Sequence, residues 1–400
     1  MEIRPIFSAM MRNRSGVLLV GLQIAITLAV AANAAFITQQ RLEKIGRPSG
    51  VDAANIFYLY SYGYSPSYDS NATLTADVDR LQGLPGVVAV SSINSMVLSG
   101  GGSSNSYLST SNPKAAQIPG NYFEISDQGL KTLNVKLVAG RNFRADELTY
   151  AALDNQFPKQ IIVTRTMARA LFGDEHVVGK LTYNPNGEAA EIIGVTEDMM
   201  GSWVESRHPQ NVVFHPVLQH GARHIYAIRA EPGRRDELML VAEKALSKPG
   251  GGRFVVWVKS QEHLIDASYR SDRRMVVFLW TLICLMVGVT ALGIVGLATF
   301  LVNARRKQIG TRRAIGARRI DIVRYFLIEN GLLTAFGLVV GIGLSFLFSY
   351  WLSNMFALPP LRPGYVLWGI AALLVLGQMA AFMPARRAAA IPPAVATRTV

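Results

Sequence analysis

Four stretches of this 400-residue chain contain no charged side chain: 15–40, 275–304, 330–361 and 363–385. Each exceeds the roughly 20 residues a helix needs to cross about 30 Å of hydrocarbon. Half of all residues are hydrophobic, which fits several membrane spans and not a soluble domain. Four transmembrane helices are therefore predicted. Arg12 and Arg14 precede the first run, and Ala32-Asn33-Ala34 has the small-x-small form of a signal-peptide cleavage site. The run is longer than a signal core, so a retained helix is expected.

The formal net charge of +13 is unevenly placed. Residues 41–274 hold 25 Lys+Arg and 24 Asp+Glu, which leaves 15 basic and 3 acidic residues for the rest of the chain. The excess sits at the N-terminal tip (Arg4, Arg12, Arg14), in 305–329, and in the tail (Arg386, Arg387, Arg398). Short loops rich in Lys and Arg stay in the cytoplasm. That rule places both termini and 305–329 in the cytoplasm, with 41–274 and the turn around Arg362 outside. A basic segment tied to two spans has little freedom to embrace a duplex, so nucleic acid is not expected as a partner. Cys284, the only cysteine, lies in the second span, so a packed core and no disulfide must hold the outer segment.

The outer segment has a weak internal repeat. Strand 55–64, helix 73–84 (Leu74, Val78, Leu81 and Leu84 inward) and strand 87–94 make one β-α-β unit. Strand 224–230, helix 234–247 (Leu238, Val241, Ala242 and Ala245 inward) and strand 253–259 make a second. The two would pack as one lobe, 52–112 plus 221–268, with 113–220 inserted as a second lobe around strands 160–163 and 190–195 and helix 166–172. Residues 100–104 and Pro113 read as loop at the junction. The fold class is thus an α/β membrane protein: a tip and first helix (1–40), a large two-lobed α+β domain (41–274), and three more helices with a basic loop and tail (275–400).

Catalytic signals are missing. Leu98-Ser99-Gly100-Gly101-Gly102 resembles the signature loop of ABC ATPases, but that loop acts only beside a nucleotide held by GxxxxGK[ST], which does not occur here. It reads as a flexible Gly/Ser loop. His208, His215, His220 and His224 match no helical face and no Cys or carboxylate completes a ligand set, so loop histidines are expected and no metal site. Neither G-x-S-x-G nor H-E-x-x-H appears. No catalytic residue and no cofactor is assigned. Gln23, inside the first span, is expected to pack across a helix interface.

Residues 305–329, RRKQIGTRRAIGARRIDIVRYFLIE, carry eight basic and two acidic residues. Gly316 is expected to end a first helix. From Arg318 onward, Ile322, Val323, Phe326 and Leu327 share one face of an amphipathic helix. Asp321 suits the positive end of that helix and can pair with Arg324 at i+3. Arg318 and Arg319 sit where positive charge is disfavoured and need an acidic partner, lipid headgroups or another protein.

This loop resembles the segment R-x-x-E-I-G-x-R-x-A-x-G-A-x-x-x-D-I, followed by a Glu entering the third span, of the MacB/FtsX-like permeases of ABC transporters, the mechanotransmission class; here that Glu is Glu329. LLVGLQIAITLAV, NYFEISDQGLKTLNVKLVAGRNF, IIVTRTMARALFGDEHVVGKLTY, AAEIIGVTEDM and MPARRAAAIPPAVATR are similar to further blocks of that family, in the same order. The resemblance implies a multi-pass inner-membrane permease with a MacB-like periplasmic core domain, and a partner ABC ATPase that binds ATP and Mg and does the hydrolysis, so that this chain is not itself an enzyme. It implies that Gly316, Ala317, Arg318, Arg319, Asp321 and Ile322 meet the ATPase. A second permease, identical or paralogous, is expected, with a periplasmic adaptor and an outer-membrane channel as further partners for export of a drug, peptide or lipid-like substrate. The alternative is a non-transporting regulatory permease that activates a periplasmic partner such as a cell-wall hydrolase. Gln308, Pro392 and Val395 stand where the family carries acids. These losses favour a paralogous second permease.

The charge placement predicts a labelling pattern. With Cys284→Ala and single cysteines at Ser65, Thr311 or Thr397, an impermeant thiol reagent should reach only Ser65→Cys in intact spheroplasts. Labelling at Thr311→Cys without permeabilisation contradicts the topology.

Overall fold

A computed structural model describes residues 14–150, 157–247, 252–356 and 358–392. The chain divides into two compact units, 47–271 and the remainder. The first membrane helix, α1, runs Arg14–Ile45.

The 47–271 unit opens with β1 (Ile56–Gly63), α2 (Ser70–Gln82) and β2 (Val87–Ser92). Next come β3 (Ser103–Tyr107), β4 (Ile118–Glu124), α3 (Gly129–Leu133), β5 (Leu137–Gly140) and β6 (Thr149–Tyr150). These are followed by β7 (Gln160–Thr164), α4 (Arg165–Phe172), β8 (Leu181–Tyr183), β9 (Ala189–Thr196), β10 (Val212–His215) and β11 (Val217–Leu218). The unit closes with β12 (Arg223–Ala230), α5 (Arg235–Leu246) and β13 (Arg253–Ser260), which passes without a loop into the second long helix, α6 (Gln261–Ala304). Then follow α7 (Arg306–Ala314), α8 (Arg319–Phe356) and α9 (Pro363–Ala389).

The two β-α-β units interleave in one antiparallel sheet of order β13-β1-β12-β2, the split β-α-β arrangement. Leu74 and Leu81 of α2 and Leu238, Ala242 and Leu246 of α5 bury against Phe57, Leu59, Tyr226 and Ile228. Val241, expected inward, is exposed, and Leu246 fills the core instead. Asp77, on the buried face of α2, accepts a hydrogen bond from Tyr226 Oη (2.8 Å) and pairs with Arg253, so this charge fastens helix to sheet. The second sheet, β3-β4-β10-β7-β9-β5 with β8 beside β9, is mixed. It packs on α4, which starts at the Thr164 cap and stops at Gly173 in the left-handed region (φ 73°). Since β3 pairs with β4, the second sheet begins before residue 113, inside the stretch expected for the first lobe. The loop at Gly100 is tied down rather than flexible: Leu98 and Gly100 donate backbone bonds to Gly201 and Ser202.

The histidine expectation needs correction. His215 and His224 are strand residues and buried, whereas His208 and His220 are exposed. The strands' own burial patterns turn these two rings inward. His215 hydrogen-bonds Tyr107 Oη (2.9 Å) and stacks on Tyr122 (4.7 Å between centroids), and His224 lies 3.3 Å from Ser70 Oγ. No group of three His, Cys, Asp or Glu that could hold a metal occurs among the described residues.

Among the described residues, four helices are long and apolar enough to cross a membrane. The helices run past the two uncharged-run boundaries that flank 41–274: α1 continues to Ile45, and α6 starts at Gln261 rather than near 275. At 1.5 Å per residue α6 is roughly 66 Å long, far beyond the hydrocarbon thickness. The spans meet through small residues. A Cβ at Gly337 would come 2.7 Å from Gly21 O, and one at Gly341 would come 3.0 Å from Ala25 Cα. Gly337-x-x-x-Gly341 of α8 therefore lies backbone-close on Gly21-x-x-x-Ala25 of α1. Polar side chains lock the contact: Asn33 Nδ2 donates to Ser345 O (3.0 Å), Thr27 and Thr290 share a hydroxyl bond (2.7 Å), and Asn330 Nδ2 donates to Gly377 O (2.9 Å). Gln23 packs against Gly293, where a Cβ would fall 2.5 Å from its amide oxygen. Arg41 and Lys44 of α1 both pair with the buried Asp272 of α6. Cys284 is exposed.

Two predictions follow from this packing. Gly337→Val should destabilise the detergent-solubilised chain by about 1–3 kcal/mol through overpacking. Gly343→Val, where no atom lies within 4 Å of the added Cβ, should leave the melting temperature nearly unchanged.

The buried histidines set an acid limit. Burial lowers His224 to about 4 and His215 to about 3, so both stay neutral in the fold while the unfolded chain protonates near 6.5. Stability should fall as pH drops below 6.5, by roughly 3 kcal/mol for each histidine at pH 4.5. Burial raises Glu124, which works in the opposite sense and gains stability as pH falls. Protection of the β10 and β12 amides, measured against their intrinsic exchange rates, should therefore fall between pH 6.5 and 4.5, and His224→Gln should flatten the response in β12. An exchange rate that follows only the intrinsic pH dependence rules this out.

Candidate coupling site

The segment between the second and third spans folds as two helices around one glycine. Gly316 has φ 105°, open only to glycine at low cost. Its N–H donates to Arg313 O (3.2 Å), and Ala317 N–H donates to Arg312 O (3.0 Å), the paired bonds of a Schellman cap on α7. Two residues on, α8 begins with Asp321 Oδ2 accepting the N–H of Arg318 (3.0 Å). The tight turn is thus built by Gly316 at one helix end and Asp321 at the other.

One side of this hairpin is keyed into the spans. Ile309 of α7, Ile322 and Phe326 of α8, Val302 of α6 and Ala385, Ala388 and Ala389 of α9 form a small core, with Ala317 and Val323 packed on it. Arginines reinforce it. Arg313 donates to the carbonyl of Ala389, at the end of α9 where a positive charge suits the helix dipole. Arg312 lies 5.1 Å over the Tyr325 ring. Arg305 pairs with Glu329 at 2.9 Å. The opposite side is open. Arg306, Lys307, Arg318, Arg319 and Arg324 are exposed. So are two isoleucines that flank the Arg318-Arg319 pair: Ile315 is 82% exposed and Ile320 67%.

Of the six residues assigned to coupling, Gly316, Arg318 and Arg319 lie on the open surface, and Ala317 and Asp321 are half-buried. Ile322 is 4% exposed, so it is not on the open surface, and the amphipathic face of Ile322, Val323, Phe326 and Leu327 points inward. That stripe is turned onto α6 and α9 because an apolar helix face beside other spans finds them first. The Asp321–Arg324 pair does not form, since Asp321 caps its own helix. Gln308 and Pro392 are exposed, and Val395 lies outside the described residues. Ile315 and Ile320 were missed by the sequence pattern, although both fall off the 322/326 stripe. Glu329, the acid that enters the third span, lies three residues past Phe326 on the buried face, where a carboxylate needs a partner; the sequence pattern did not name that partner.

The 47–271 unit carries a separate cleft of about 770 Å³ that no sequence pattern announces. The stacked rings of Tyr122 and His215 lie along it, with Glu124, Asp146 and Glu188 among its other side chains.

Comparison with known proteins identifies the architecture. The FtsX-like permease C-terminal model matches residues 280–393, and the MacB-like periplasmic core domain model matches 20–245, more than half the chain. The chain belongs to the MacB/FtsX-like ABC permeases. It is a multi-pass inner-membrane protein with an α/β domain between its first and second membrane helices. The macrolide export ATP-binding/permease protein MacB of Chromobacterium violaceum is 26% identical over 275 residues, which cover 65% of this permease and 40% of that protein. The pyoverdine export ATP-binding/permease protein PvdT of Pseudomonas fluorescens is 24% identical over 401 residues, 96% of this permease and 57% of that protein. The permease thus spans roughly half the length of these two relatives. The uncharacterized ABC transporter permease YknZ of Bacillus subtilis is 25% identical, with 68% of each chain covered. Among solved structures, the periplasmic region of MacB from Actinobacillus actinomycetemcomitans aligns with 13% identity and a TM-score of 0.34, covering 56% of this permease and 97% of that chain.

Proposed function

We propose that this permease is the membrane subunit of an ABC exporter of the mechanotransmission class. A separate ATPase, which binds ATP and Mg, docks on the cytoplasmic 305–329 hairpin. Its ATP-driven movement passes through α6 and α8 to the periplasmic domain, which drives a drug-, peptide- or lipid-like substrate towards an adaptor and an outer-membrane channel. Both termini lie in the cytoplasm, and a second permease, identical or paralogous, completes the membrane part. The names of the macrolide and pyoverdine relatives favour export over a purely regulatory role.

The two-sided build of the hairpin carries this reading. A loop that served only to orient the spans needs a count of basic residues and nothing more. Here one side is packed into three spans while the other presents Ile315, Arg318, Arg319 and Ile320. Exposed isoleucines beside unpaired arginines suit an acidic, partly apolar protein surface. Two variants test it. Arg318→Glu with Arg319→Glu leaves six basic residues in the loop, so insertion should survive while ATPase binding weakens by at least about tenfold. Ile315→Asp with Ile320→Asp should do the same without touching a basic residue. Wild-type ATPase binding in both variants would reduce the loop to a topological signal.

A further inference from the structure

Glu329 sits on the face of α8 that also holds Ile322, Phe326 and Leu333, and it is 3% exposed. A carboxylate buried among spans is costly unless paired, and even a well-paired one is seldom more stabilising than apolar side chains of similar size. Stability alone therefore does not account for an acid at this position. Its partner is Arg305, whose Nη1 donates to Glu329 Oε2 (2.9 Å) and reaches Tyr325 Oη (3.3 Å). Arg305 is the residue at which α6 breaks and α7 starts. The ion pair thus ties the break between α6 and α7 to the third turn of α8, closing a triangle whose other vertex is the exposed Ile315–Ile320 turn.

The pair also has slack. Glu329 Oε1 has no hydrogen-bond partner among the described residues. Glu329 borders a small cavity of about 30 Å³ lined by Leu297, Leu301 and Val302 of α6, Phe326 of α8 and Ala385 of α9. Arg305 therefore has a second carboxylate oxygen within the same side chain, and a void beside it, so the joint can shift without leaving either charge unpaired. The apolar core next to it offers no such directional contact.

We infer that Arg305 and Glu329 form the joint that turns displacement of the docking hairpin into displacement of α6 against α8. Both are positioning residues, and the inference rests on the docking reading above. The test uses the permease purified with its ABC ATPase and reconstituted in liposomes, comparing Glu329→Gln, Arg305→Glu and the exchanged pair Arg305→Glu/Glu329→Arg. Each single variant should keep wild-type ATPase stoichiometry and KM for ATP while permease-stimulated kcat drops by roughly tenfold. The exchanged pair should restore kcat to within about threefold, which a loss of packing alone would not do. Where a single variant fails to assemble, the exchanged pair decides: recovery of assembly with kcat supports the joint, and recovery of assembly without kcat overturns it. Glu329→Gln with wild-type kcat overturns it too, as does loss of bound ATPase in the single variants at unchanged melting temperature. The Arg318→Glu/Arg319→Glu and Ile315→Asp/Ile320→Asp variants are the separate control: if both bind ATPase as tightly as wild type, the docking reading fails, whatever the Arg305 variants do.

Discussion

The close crossing of α1 and α8 is the contact on which the membrane unit depends. Lipid tails are as apolar as leucine, so spans gain little by hiding apolar surface from them, and close packing must hold helices together. Gly337 and Gly341 remove the side chains that would keep α8 off Gly21 and Ala25. Only at that separation can Asn33 of α1 reach the carbonyl of Ser345 on α8. With α8 fixed, α9 packs against both helices, through Asn330 and Gly377 on α8 and through Tyr365 edge-on to Phe36 of α1. By contrast α6 keeps much apolar surface open, with Phe278, Leu285, Leu292 and Phe300 exposed, and its ties to α1 are mostly polar. A helix held by a few directional contacts can move without dismantling a core.

The same helix is continuous with the α/β domain. Strand β13 runs into α6 with no intervening loop, and the first residue of the helix, Gln261, is fully buried. Tyr58 Oη donates to its amide oxygen (2.6 Å), and its amide nitrogen donates to Val97 O (2.8 Å). A buried amide satisfied on both ends fixes where strand becomes helix, because leaving either group unpaired costs about 1–3 kcal/mol. Ser268, two turns on, bonds the carbonyl of Leu98, a buried residue at φ 53°. The helix start is thus built into the domain's own core.

At the other end of α6, the eight basic residues of 305–329 serve two ends at once. Arg305, Arg312 and Arg313 are taken up by Glu329, the Tyr325 ring and the α9 carboxyl end, and they hold the hairpin against the spans. Arg318 and Arg319 remain exposed beside two isoleucines. A count of positive charge treats these groups as equal, yet their surroundings divide them into internal braces and outward contacts.

That division marks the limit of what the sequence determined. Uncharged runs longer than a bilayer fixed four spans, and charge placement gave a self-consistent topology, because both follow from transfer energies that need no tertiary contact. The β-α-β repeat was legible from alternation and helical spacing at Leu74, Leu81, Leu238 and Ala242. Tertiary structure decided which neighbours those faces meet. Periodicity identified Ile322 and Phe326 as one apolar stripe but could not say whether an outside partner or α9 covers it. Only the packed bundle puts them inside and leaves Ile315 and Ile320 out. The pairing of Arg305 with Glu329, 24 residues away, and the burial of His215 and His224 have the same origin. Each depends on groups brought together across the fold, and a local pattern carries the need for a partner without naming it.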